Sequence, residues 1–220
     1  MNRIISLIYI LPAILPAISL HEFAHGYMSY RLGDNTPKMD GRLTLNPFKH
    51  LDPWGTLCLV VFRMGWAKPV RINVRNYKKP KRDIILVSLA GPVMNFILAF
   101  ISLVLYGLFW KNGSSHAVAA YLENVCLYSA VVNVGLGVFN LIPIPPLDGS
   151  NVLGELFPQI RTFYLRYRRY TPWILAALLF TGVLSVPLQA ANREIINAIW
   201  GWVRKLLGIV ILPSGGSIAV

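Results

Sequence analysis

Leu15-Pro16-Ala17-Ile18-Ser19-Leu20-His21-Glu22-Phe23-Ala24-His25 closes an apolar run that begins at Ile4 and is broken only by Ser6 and Ser19. Two imidazoles at i and i+4 lie on one face of a helix and can bind one metal ion. The glutamate between them can act as base on a metal-bound water, the pattern of zinc hydrolases. Five residues with three fixed positions also recur by chance, so the setting decides. Ionisable groups at membrane depth cost roughly 2.5–3.5 kcal/mol each on insertion scales and mark a functional site. A helix end where His and Glu merely meet the interface leaves that penalty unexplained.

Composition agrees with a membrane setting. The chain has 220 residues, 55% hydrophobic and only 14% charged, where a soluble domain carries about 25% charge. This length suits one membrane-embedded domain over 1–220, with a core over 4–153 and C-terminal helices over 173–212. The first 20 residues do not read as a signal peptide, because the basic n-region is only Arg3 and no cleavage site precedes the histidine helix. Cys58 and Cys126 sit in apolar runs without a C-x-x-C partner. They read as small packed hydrophobes rather than a disulfide framework.

The net charge of +12 raises nucleic acid as a partner. The distribution argues against it. Twelve of the 21 basic residues fall between Arg31 and Arg82 and four more between Arg161 and Arg169. Neither block carries a zinc-finger or RNP-type pattern. Basic blocks beside apolar spans read as cytoplasmic loops.

Three spans are predicted: Ile4 to about Tyr30, Ile84 to Trp110 and Ala117 to Leu141, each long enough for a core needing about 20 residues. Trp173 to Leu188 is a fourth, near the short limit. The tail from Ile195 to Leu212 either lies in the interface, with Trp200 and Trp202 as anchors, or spans with Arg204 and Lys205 facing protein. The expected fold is therefore an all-α polytopic membrane protein of four to five transmembrane or interfacial helices. The basic loops after spans one and three place the N-terminus outside. Between Gly41 and Asp83, the run Leu57 to Phe62 and the alternation Val70, Ile72, Val74 predict a small membrane-associated β-hairpin over 57–74.

The third span ends in Asn140-Leu141-Ile142-Pro143-Ile144-Pro145-Pro146-Leu147-Asp148-Gly149. Its prolines stop the helix, and Gly149 permits a turn. Taken alone, Asp148 would be a solvated aspartate in a helix-ending turn. Topology argues otherwise, because spans one and three run the same way and deliver the His pair and Asp148 to one leaflet. Two histidines and one carboxylate leave a tetrahedral zinc its fourth position for water. The seventeen residues before His21 rise about 25 Å, which puts the metal in or just below the inner leaflet.

His21-Glu22-x-x-His25 and Asn140-x-x-Pro143-x-x-x-Leu147-Asp148-Gly149 resemble the two signatures of the site-2 protease family of intramembrane zinc metalloproteases. Gly91-Pro92-Val93-Met94-Asn95 resembles a further motif of that family, as does the stretch from Gly41-Arg42-Leu43 through His50, Asp52-Pro53 and Gly65-Trp66-Ala67-Lys68-Pro69. The likeness covers roughly Ile10 to Leu153 and leaves no room for a PDZ-like insertion between spans two and three, so it points to the compact branch. The resemblance implies one Zn2+ per chain and cleavage in or near the transmembrane segments of membrane proteins. It also implies a bacterial or archaeal cell membrane, with the site toward the cytoplasmic leaflet.

On this reading Glu22 is the catalytic base and His21, His25 and Asp148 are the metal ligands. The resemblance turns Asn140 and Asn95 toward the site, where an amide could bind substrate backbone or a developing oxyanion. The competing role for both is an interhelical hydrogen bond. His50 and Asp52 are rival ligands in the basic loop, although closed four-ligand sites are structural rather than catalytic. His116 is predicted on the opposite face. A helical substrate must unwind to be cut, and the 57–74 hairpin either offers it an edge or simply packs on the helices. A metal transporter or a non-catalytic zinc scaffold would use the same three ligands but would not require Glu22.

Overall fold

The structure, a computed structural model, describes residues 3–52, 55, 68–113 and 116–209, with side chains from Ile8 onward. Its described elements are helical: α1 (Arg3–Arg31), α2 (Thr36–Met39), 3-10 turns at Pro47–Lys49 and Val74–Asn76, α3 (Pro80–Asn112), α4 (Ala117–Asn140), α5 (Asp148–Leu156), α6 (Pro158–Tyr167), α7 (Thr171–Phe180) and α8 (Ser185–Leu207). Among the described residues, α1 from Ile8, α3 and α4 are each long and apolar enough to cross a bilayer. The chain is an integral membrane protein. Pro12 and Pro16 stay inside α1 and Pro92 inside α3, which membrane helices tolerate where neighbours satisfy the freed carbonyls.

The chain divides into two compact units. The first comprises Met1–Ala17, Asn95–Phe139 and Ala176–Val220. Its core is one face of α8, where Ile196, Trp200 and Val203 recur at helical spacing. Trp200 and Val203 pack with Leu103 and Ala130, and Ile196 packs with Ala99 and Val134. Trp200 is therefore a core residue against Tyr106, not an interfacial anchor. Trp202 does face outward, with Lys205 Nζ 5.7 Å from its ring centre. Asn95 is fully buried here, its Nδ2 donating to the Ala17 carbonyl at 3.2 Å and to Asn133 Oδ1 at 3.0 Å.

The expected span over Trp173–Leu188 is not one helix. α7 and α8 meet at 81° across a short break. Gly182 adopts φ +72° in that break, a left-handed conformation open to glycine. Pro187 then falls in the first turn of α8, where its missing N–H is harmless. The ten residues of α7 rise only about 15 Å, roughly half the hydrocarbon thickness.

The second unit comprises Ile18–Met94 and Asn140–Leu175. Asp34 is its buried tie-point beyond the end of α1. Oδ2 accepts from Ser29 Oγ at 2.9 Å and the Asn73 N–H at 2.7 Å. Oδ1 accepts from the Thr36 N–H at 3.0 Å, Thr36 Oγ1 at 2.6 Å and Asn76 Nδ2 at 2.8 Å. Burial alone would raise this carboxyl, but the donors from Asn73, Thr36 and Asn76 outweigh it and hold the group at about 2. A depressed folded value stabilises the fold above the ordinary carboxylate range, and that stability is lost as pH falls toward 2. Asp34→Asn should cost ~2 kcal/mol near neutrality and flatten this acid dependence. Thermal unfolding of both proteins in detergent between pH 2 and 5 checks it; parallel curves would show that the network contributes nothing.

The hairpin expectation is corrected where it can be seen. Its first arm, 57–62, lies outside the described residues. Residues 68–73 of the second arm carry no regular secondary structure, and Val74–Asn76 turn into a 3-10 helix. The alternation of Val70, Ile72 and Val74 does not make a strand because side chains take the donors: Val70 N–H goes to Glu22 Oε2 at 3.0 Å and Asn73 N–H to Asp34.

Candidate metal centre

α1 continues unbroken through the histidine pair, so His21 and His25 sit one turn apart, with their rings edge to face at 4.6 Å between centroids. α3 supplies the second wall. Its Val87 carbonyl accepts from His25 Nδ1 at 2.7 Å, which orients the ring and leaves Nε2 as a lone-pair donor. Gly91, one turn further along α3, lies directly beneath both rings. A Cβ there would stand 2.6 Å from His21 Cε1 and closer still to His25 Nε2.

α5 supplies the third wall. Leu147, extended at φ −73° and ψ 155°, precedes the helix, and Asp148 is its first residue. Gly149 lets that turn close against the carbonyls of Leu141 and Ile142, where a Cβ would collide with backbone. Tyr164 Oη donates to the Pro143 carbonyl at 2.5 Å and braces the proline-rich connection.

These elements bring three donor atoms together. His21 Nε2 and His25 Nε2 are 3.0 Å apart. Asp148 Oδ2 lies 3.3 Å from the first and 3.2 Å from the second. A tetrahedral ion with bonds of roughly 2.0–2.1 Å holds its donors roughly 3.3 Å apart, so the triangle suits a cation of that size. The donor set, two imidazoles and one carboxylate, suits zinc. Among the described residues this is the one group of His, Cys, Asp or Glu converged closely enough to hold a metal.

Glu22, between the two histidines, is held by the Val70 N–H. His50 is buried elsewhere in this unit, with Nε2 donating to the Thr44 carbonyl at 2.8 Å. Asp52 Oδ1 accepts from the Gly55 N–H. Neither belongs to the converged group. Asn140 is the last residue of α4, and Asn95 makes the interhelical bonds described above. Three contributions escaped sequence reasoning. The Val87 carbonyl and the Val70 N–H are backbone groups and carry no residue-type signal. Gly91 belongs to a family-like motif, which does not state its packing role; a glycine inside an otherwise apolar helix signals close approach.

The model of peptidase family M50 matches residues 9–185. A Bacillus subtilis protein named "Putative zinc metalloprotease YwhC" is 43% identical over 195 residues, covering 86% of this chain and 89% of its own length. Two mycobacterial proteins share the name "Putative zinc metalloprotease Rip2". The one from Mycolicibacterium smegmatis is 32% identical over 176 residues, covering 78% of this chain and 66% of its own. The one from Mycobacterium tuberculosis is 30% identical over 210 residues, covering 93% and 76%. No solved structure matches the chain significantly. The matched span holds the histidine pair, Gly91 and Asp148, and on its extent the chain belongs to peptidase family M50.

Proposed function

We propose that the protein is an intramembrane zinc endopeptidase of the site-2 protease kind, cutting membrane proteins in or near their transmembrane segments. One observation carries the reading: His21, His25 and Asp148 present three donors at tetrahedral spacing, with Glu22 between the histidines. Bound there by these three side chains, zinc supplies Lewis acidity toward the scissile carbonyl and toward water. Glu22 takes the water proton and later delivers it to the leaving amine. The Val70 N–H steadies one carboxylate oxygen for that task.

Residues 1–220 act as one metalloprotease domain on this reading. Asn95, bonded to Ala17 and Asn133, serves as a helix tie, a role worth roughly 0.6 kcal/mol in a membrane. Asn140, beside the proline-rich turn, binds substrate or oxyanion. An Asn140→Ala protein that holds zinc and cleaves normally would remove that role. The basic loops face the cytoplasm, which puts the centre toward the cytoplasmic leaflet. A reporter joined after Lys78 and found on the outer face would contradict this orientation.

The direct test uses purified protein and a model transmembrane peptide. Wild type should cleave it in a chelator-sensitive way. Asp148→Ala should lose most bound zinc, because its carboxylate is one of three converged donors among the described residues. Unchanged zinc stoichiometry in that variant would disqualify Asp148 as a ligand.

A further inference from the structure

The unit that carries the metal centre also contains a cavity of about 580 Å³. That volume is in the range of small-ligand and peptide sites. Two of its walls, α3 and α5, are also walls of the metal centre. Ser88 lines it and directly follows Val87, whose carbonyl orients His25. Ser150 lines it from the first turn of α5, two residues after Asp148. Ile72 lines it two residues after Val70, the residue bonded to Glu22. The cavity and the metal centre thus share α3, α5 and the segment after Val70, and a polypeptide lying across the centre can continue along these elements into the cavity.

The lining has a definite chemistry. Ile72, Val74 and Ile84 form an apolar side. Arg161, Tyr164, Leu165 and Arg168 face it from α6 and its C-terminal end, at positions i, i+3, i+4 and i+7 of one helical face. Among the described residues the only carboxylate in the wall is Glu155, which is largely buried and paired with Arg161 at 3.2 Å. Arg168 has no acidic partner among the described residues. The cavity thus holds one surplus positive charge beside apolar surface and hydrogen-bonding groups.

We propose that this cavity is a substrate subsite for the extended segment next to the scissile bond, and that Arg168 selects an acidic side chain in that segment. The proposal rests on the peptidase reading above. A peptide suits the cavity better than a lipid headgroup does, because the walls continue from the residues that hold the reacting groups and offer side-chain hydrogen bonds along an extended backbone. It defines a substrate class: membrane proteins with an Asp or Glu in the extended segment beside the cut.

The test compares full-length zinc-loaded protein on one model transmembrane peptide carrying Asp, Asn or Lys in that flank. Wild type should favour Asp over Lys in kcat/KM by about fivefold, the size of one partly exposed ion pair. Arg168→Gln should bring the ratio near one, and Arg168→Glu should invert it, with zinc content unchanged in both. Arg166→Glu, on the same helix but outside the lining, should keep the wild-type preference. Binding of the same peptides to Glu22→Gln protein is measured in parallel. Selective binding without cleavage by wild type would sink the peptidase reading and support the subsite. Cleavage with an Asp-to-Lys ratio unmoved by Arg168→Glu would overturn the subsite alone. So would a photoreactive anionic phospholipid that labels the cavity where a photoreactive substrate does not.

Discussion

Glu22→Gln yields a protein that still holds one zinc per chain but cleaves about a hundred- to ten-thousandfold more slowly, the usual worth of a positioned acid–base group. The substitution keeps the size and shape of the side chain. Its amide oxygen can still accept the Val70 N–H that Glu22 Oε2 accepts at 3.0 Å, so the local backbone stays in place. Glu22 is also absent from the converged donor triangle, so metal content should not fall. The amide cannot take a proton from water at neutral pH, and that is the function removed. Metal analysis and single-turnover cleavage of a membrane peptide measure the two quantities separately. Full turnover would remove Glu22 from the mechanism, whereas lost zinc would make it a ligand.

Gly91→Ala should empty the metal centre without unfolding the protein. The added methyl would stand 2.7 Å from His21 Nε2 and closer to His25 Nε2, the two ring nitrogens that we propose hold the metal. His25 has little freedom to withdraw, because its Nδ1 is tied at 2.7 Å to Val87, one turn away on the same helix. The helix itself gains, since alanine exceeds glycine by up to about 1 kcal/mol in helix propensity. The effect should therefore be confined to the site: zinc stoichiometry near zero, activity lost and helical content kept. Gly201→Ala in α8, where an added Cβ meets nothing within 4 Å, is the control and should keep both zinc and activity. A folded Gly91→Ala protein with full zinc would refute the packing of α3 on the histidine pair.

How much of this was legible in advance depended on the range of the physics. The His21–His25 spacing and the apolar runs are local signals, and the helical period turns them into a ligand pair and three spans. α1, α3 and α4 accordingly begin and end within a few residues of their expected limits. Asp148 needed a longer argument, from span direction to leaflet. The Trp173–Leu188 stretch is broken into α7 and α8 rather than one helix, because hydropathy averages across Gly182, while one left-handed residue is enough to turn the chain. The strand expected at Val70–Val74 failed because alternation counts side chains, whereas Glu22 and Asp34 had claimed the backbone donors.

What the amino-acid order determined by itself was the chemistry on offer: two imidazoles on one helical face, a carboxylate between them, and a second carboxylate delivered to the same leaflet by a span of matching direction. These follow from helical geometry and from the cost of polar groups in lipid, both readable residue by residue. Only the tertiary structure decided that the donors meet at about 3.0 to 3.3 Å. That closeness depends on Gly91 having no side chain where the two histidine rings press in, on Gly149 having none where the Leu141 and Ile142 backbone does, and on a carbonyl of α3 orienting His25. The contacts of Gly91 and of the Val87 carbonyl join α3 to positions more than sixty residues earlier in the chain, so no single stretch of sequence announces them.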